Sequence, residues 1–262
     1  MNAYDPNAAT GVIPDAQLLA DEAQYSSFGD TVHYVDPPKI FRHGQGSWMY
    51  DTAGVPFLDL QMWYSAVNFG YGNKRLNDTL KAQIDTLPQV ASQYLHQTRI
   101  ELAKTIAVDA QQKFGLKGRV HFNVGGAQAV EDSLKLVRNY KNGKSLMFAF
   151  EGGYHGRTLG ASSITSSYRY RRRFGHFGER AMFIPFPYPF RRPKGMTPEE
   201  YSDACVRQFE RLFETEYNGV WDPKVNQAEY AAFYVEPIQG TGGYVIPPKN
   251  FFKDLKKVLD KY

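Results

Sequence analysis

The chain has a single cysteine, Cys205, among 262 residues. One thiol excludes an intrachain disulfide and any metal site built from several cysteines. No apolar stretch approaches the roughly 20 residues of a membrane-spanning helix, and no basic segment leads into an apolar run near Met1. Charge of one sign is equally scarce. The 31 basic and 27 acidic residues leave +4, too mild a surplus to demand nucleic acid or a membrane as partner. Neither G-x-G-x-x-G nor G-x-x-x-x-G-K-[ST] occurs, no spacing suggests metal ligands or a Ser-His-Asp triad, and there is no repeat. These absences leave a soluble globular protein, expected in the cytoplasm. Its 42% hydrophobic and 15% aromatic residues suffice for one large or two smaller domains.

What is present is organised around Arg119–Thr158 (RVHFNVGGAQAVEDSLKLVRNYKNGKSLMFAFEGGYHGRT). It reads as a strand (Val120–Val124), a glycine turn, a helix from Gly126, a second strand (Leu146–Phe150) and a second glycine turn. Such a βαβ unit brings both loops to the carboxyl ends of adjacent parallel strands, where open α/β sheets bind ligands.

Residues 1–29 read as a polar surface arm, and Phe41–Leu60 as a β-hairpin turning at Asp51 and Gly54. Gln61–Gly72 is aromatic and glycine-rich without a clean period; Trp63 and Tyr64 suit either core packing or a pocket wall. Leu76, Leu80, Ile84 and Leu87 have helical spacing ended by Pro88, and Leu102, Ile106 and Ala110 repeat it before Gly115. Ala181–Phe186 suits a strand. Thr197-Pro198-Glu199-Glu200 is a capping box opening a helix whose apolar face includes Tyr201, Cys205, Phe209 and Leu212. Cys205 is thus expected as a packed thiol. Tyr230–Val235 suits a parallel strand covered on both faces, and Phe251, Leu255, Val258 and Tyr262 mark a last amphipathic helix. The fold class is α/β, with a mainly parallel sheet flanked by helices.

Three loops carry the chemistry. Gly125-Gly126-Ala127 has no side chain to block an anion from the N–H groups of Gly126 and Ala127 at a helix start; tight packing is the plainer use of such glycines. Gly152–Gly156 holds Tyr154, a flat face for a planar ligand, beside His155, a hydrogen-bonding group or second face. Glu236 follows the buried strand, where an acid is costly unless paired or hydrogen-bonded, and Gln239 offers both donor and acceptor.

Together FNVGGAQAVEDSLKLVRNY, FEGGYHGRTLGA and YVEPIQGTGGYVIPP resemble the class III (omega-type) aminotransferases, pyridoxal-phosphate enzymes of fold type I. FLDLQMWYSAVNFGYGNKRL resembles an earlier region of that family, so the likeness spans about Gly46 to Tyr262. It implies that Gly126 and Ala127, with Gly125 beside them, hold the cofactor phosphate. Tyr154 would stack on the pyridine ring with His155 beside it. Glu236 and Gln239 would lie at the cofactor's edge, Gln239 towards the 3-hydroxyl, and Trp63 and Tyr64 would line the substrate side. The implied reaction passes an amino group from an amine or amino acid to a 2-oxo acid or aldehyde, in a homodimer.

Departures from the family pattern matter too. Gly125 stands where many members have Ser or Thr, and Gln128 where Glu is common. Thr241 stands where the 4-aminobutyrate and ornithine branches carry Glu, which argues against those substrates. The resemblance implies that residues 1–60 are arm and hairpin of a small domain, and 61–262 the first part of a large cofactor-binding domain. The acid facing the pyridine nitrogen and the aldimine lysine would follow Tyr262, in a missing carboxyl-terminal half or a complementary chain; no catalytic residue is therefore assigned. Lys253, Lys256 and Lys257, on or beside an exposed helix face, are expected to be solvated. Three alternatives stand beside this: a non-catalytic binding or assembly protein, another class III reaction (aminomutase, decarboxylase or racemase), and nucleic-acid binding by Tyr168–Phe174, YRYRRRF.

Overall fold

The computed structural model describes residues 13–26, 35–166, 170–175, 177 and 181–262. They form two packing units, Met1–Leu102 and Ala103–Tyr262. The boundary between these units falls within a helix.

The first unit begins with α1 (Asp15–Tyr25); the rest of the expected arm, 1–12 and 27–29, lies outside the described residues. The expected hairpin has one strand more. β1 (Phe41–Gln45), β2 (Trp48–Asp51) and β3 (Pro56–Leu58) form an antiparallel meander. Asp51 shapes the β2–β3 turn, its Oδ1 accepting from the N–H groups of Ala53 (3.0 Å) and Val55 (2.9 Å). Next comes α2 (Met62–Ser65), a single turn whose residues all have positive φ, from 47° to 67°. That handedness costs an L-residue about 1–2 kcal/mol, so something must hold it. Asp59 does: its carboxylate accepts from the N–H groups of Gln61 and Met62 (each 3.0 Å) and from the Tyr71 hydroxyl (2.7 Å). These bonds, Tyr71's foremost, draw its pKa below the ordinary carboxylate range. α3 (Lys74–Thr86) starts at Asn73, whose side chain caps it, and α4 (Gln97–Phe114) stops at Gly115, as the punctuation requires. Neither helix buries a residue, and the α3 stripe of Leu76, Leu80, Ile84 and Leu87 is exposed.

The second unit runs α5 (Gly126–Tyr140), β4 (Met147–Phe150), α6 (Leu159–Ile164), β5 (Ala181–Ile184), α7 (Pro198–Glu210), β6 (Trp221–Asp222), β7 (Gln227–Ala228), β8 (Ala232–Tyr234) and α8 (Phe251–Lys261). Its main sheet has the order β5-β4-β8, all parallel. The central strand β4 is buried throughout and sorts its side chains by the period of two. Phe148 and Phe150 join Phe209 of α7 and Phe251, Leu255 and Val258 of α8. Met147 and Ala149 join Leu134 of α5 and Ile164 of α6. The Thr197–Glu200 capping box opens α7 as expected. Cys205 packs in that core, where burial pushes its thiol pKa up and leaves it unreactive.

One expectation fails. Val120–Val124 is not a strand, and Val124 is 95% exposed. A strand exists by its ladder of hydrogen bonds to a neighbour, and among the described residues none pairs with this segment. The order around the site is therefore helix–strand–helix–strand, not the βαβ unit that the alternating apolar residues suggest.

Candidate active site

The amino terminus of α5 is open. Gly125 precedes it in extended conformation, and no side chain caps it. A Cβ built on Gly126 would meet nothing within 4 Å, whereas one on Gly125 would lie 2.8 Å from Oε1 of Gln128. The two departures from the family pattern thus belong together: the Gln128 side chain takes the space that a larger residue at 125 would use. The first N–H groups of a 15-residue helix and its positive dipole end face this opening.

The Gly152–Gly156 loop closes over that helix end. A Cβ on Gly156 would sit 2.8 Å from the Ala127 methyl and 2.9 Å from that of Ala161, so only glycine allows this approach. The loop is tied down by residues that sequence reading treated merely as a loop or helix start. The buried Thr165 hydroxyl accepts from the His155 N–H (2.9 Å) and lies 3.1 Å from the Gly156 carbonyl and 3.0 Å from that of Ala161. Ser166 accepts from the Gly152 N–H through its hydroxyl and donates its own N–H to the Gly153 carbonyl. Glu131, also missed, reaches from α5 to cap α6, its Oε1 accepting from the N–H groups of Gly160 (2.8 Å) and Ala161 (3.2 Å). The run SSITSS was the available signal, since clustered hydroxyls beside a glycine loop supply turn partners.

Tyr154 is half-buried, with Tyr170 set edge-on to its ring at 5.1 Å. His155 turns inward, its ring 6.0 Å from that of Tyr234, and its Nε2 is buried without a partner. Burial pushes its pKa down, opposed in part by the Glu236 carboxylate. The cost of an acid at the end of β8 is met by backbone donors. Glu236 accepts from the N–H of Tyr154 at Oε2 (2.8 Å) and from that of Gly240 at Oε1 (3.0 Å). Gln239, 3% exposed, donates from Nε2 to the Glu151 carbonyl (2.7 Å).

Gly125, Gly126, Ala127, Tyr154, His155, Glu236 and Gln239 thus gather at one end of the second unit's sheet. Trp63 and Tyr64 belong to the first unit, exposed on the left-handed turn α2. In the basic–aromatic segment, Tyr168 and Arg169 lie outside the described residues. Tyr170 packs on Tyr154, and the Arg171 guanidinium lies over Phe183 at 5.1 Å; both are engaged within the fold. Lys256 and Lys257 pair with Asp260 and Asp254 along the exposed side of α8. Among the described residues no helix is long and apolar enough to cross a membrane.

Known proteins are similar to this chain in sequence and in fold. The chain is 32% identical over 227 residues to an alanine/serine racemase of Pyrococcus horikoshii, covering 86% of this chain and 46% of that protein. It is 31% identical over 213 residues to a probable 4-aminobutyrate aminotransferase of Bacillus subtilis, covering 79% and 46%. Among solved structures, an (S)-enantioselective omega-transaminase from Thermomicrobium roseum superimposes with a TM-score of 0.82 at 28% identity, over 95% of this chain and 55% of that one. The chain therefore spans about half the length of the relatives it matches. The family model for class-III aminotransferases matches residues 31–262, and on that match the chain belongs to this family of pyridoxal-phosphate-dependent enzymes of fold type I.

Proposed function

We propose that this chain supplies the phosphate-binding and ring-facing loops of an aminotransferase that moves an amino group from an amine or amino acid to a 2-oxo acid or aldehyde. The reading is carried by the approach of Gly156 to Ala127, which sets the Tyr154 loop beside an uncapped helix start. The residues fit pyridoxal phosphate: an open, positive helix end suits its dianionic phosphate, and the half-buried Tyr154 gives its ring a flat face. A solved relative, the omega transaminase of Pseudomonas jessenii, is in complex with PMP, a group of the same shape. Bound, the cofactor supplies an electron sink for bond breaking at the substrate carbon. The chain's own part is to hold it: N–H groups of Gly126 and Ala127, with Gly125 leaving the approach clear, for phosphate; Tyr154 for the ring; His155, Glu236 and Gln239 around its edge. Trp63 and Tyr64 face substrate on this reading. Residues 1–60 then belong to the smaller domain, and 61–262 to the first part of the cofactor-binding domain. The exposed α3 stripe supports a homodimer, which sedimentation would test.

The test is titration of the protein with pyridoxal phosphate and with pyridoxal, followed by absorbance. Phosphate recognition requires the phosphorylated form to bind at least tenfold more tightly; equal affinities sink the assignment. The racemase relative motivates a second reading. Inversion of an amino acid without any oxo-acid acceptor would favour racemisation; amino transfer that depends on the acceptor favours the first.

A further inference from the structure

Resting on that reading and narrowing the part that Glu236 plays in it, we propose that Glu236 is a positioning residue for Tyr154: it borders the cofactor's edge but acts on the cofactor by fixing the height and tilt of that ring. Both of its oxygens are engaged by backbone. The Gly240 N–H at 3.0 Å closes Glu236's own turn. The Tyr154 N–H at 2.8 Å lies 82 residues away and belongs to the neighbouring loop. A carboxylate offers two acceptors and forms charge-assisted bonds, so one side chain serves both amides. Gln239 joins the same loops in parallel, bonding the Glu151 carbonyl across 88 residues. Gly152 makes room for it: φ is +80°, and a Cβ there would lie 2.9 Å from Gln239 Oε1. A Cβ built on Gly153 would lie 3.3 Å from His155 Nε2 and 3.8 Å from Glu236 Oε2, which places imidazole and carboxylate side by side beneath the loop. The acid is thereby turned under Tyr154, where it braces the platform.

The test separates bracing from direct contact. Amide exchange at Tyr154 and Gly240 is measured by NMR without cofactor in the wild type, Glu236→Gln and Glu236→Ala. Bracing requires both amides to exchange roughly tenfold faster in the alanine variant. The glutamine variant, which keeps one acceptor, should release one amide and covers the case in which the alanine variant fails to fold. Unchanged exchange at Tyr154 overturns the proposal. Titration with pyridoxal phosphate then compares Glu236→Ala, Tyr154→Ala and the double variant. If Glu236 acts through Tyr154, the double variant binds no more weakly than Tyr154→Ala; additive losses mean direct contact and overturn it. Should wild type bind no pyridoxal phosphate, the functional reading falls and the cofactor arm with it, while exchange still decides whether the brace exists.

Discussion

Gly156 lies against Ala127 so closely that a Cβ at 156 would come within 2.8 Å of the Ala127 methyl. This contact joins the loop that carries Tyr154 to the uncapped start of α5, two features separated by a whole helix and a strand in sequence.

Gly156→Ala should therefore be costly. The added methyl meets two others, and φ of +129° is strained for any L-residue. Overpacking of about 1–3 kcal/mol and backbone strain of about 1–2 kcal/mol add, so urea unfolding should show a loss of roughly 2–5 kcal/mol. Adding Ala127→Gly should restore part of it. No recovery would mean that the strain or the Ala161 contact, not the Ala127 methyl, requires glycine.

Acid should weaken the fold through His155. Its ordinary pKa is about 6.5, and burial holds the folded value lower. Above 6.5 both states are neutral at this site. As pH falls below it, the unfolded chain takes up a proton that the folded one refuses, so stability is lost down to the folded value and the loss is constant beneath. Urea midpoints between pH 7.5 and 5 should fall more steeply in wild type than in His155→Gln. Identical slopes would show that His155 is protonated freely in the folded state.

Much of this site was legible because glycines, a capping box and a continuous apolar strand are local signals. Thr197 with Glu200 caps α7, and Glu236 follows β8, just where the residues suggested. What was not legible depends on partners distant in sequence. Val120–Val124 alternates like a strand but, among the described residues, has no neighbour to pair with. Met62–Ser65 gives no hint of left-handedness, because the cause is Asp59 collecting donors from both sides of the turn. Thr165 and Glu131 act on backbone groups of other elements, which no window of sequence displays.

Glu131→Ala should loosen α6. The helix has no side-chain cap from Thr158, and its Gly160 and Ala161 N–H groups depend on Glu131. Losing such a cap costs about 1–2 kcal/mol, read as a lower unfolding midpoint, while Glu131→Gln keeps an acceptor and should cost less. Equal losses in both variants would point to the negative charge rather than the bonds.

Tyr170 tests the same platform from its other side. Its ring meets that of Tyr154 edge-on, centroids 5.1 Å apart, a geometry worth about 0.5–1.5 kcal/mol beyond buried area. The contact involves rings, so Tyr170→Phe keeps it. Tyr170→Ala should weaken binding, by up to about tenfold if the whole pair energy goes into holding Tyr154. The alanine change should have no effect in a Tyr154→Ala background, because the ring it braces is then gone. A loss that persists there would mean that Tyr170 reaches the cofactor itself, and the aromatic–basic segment would become part of the site rather than its support.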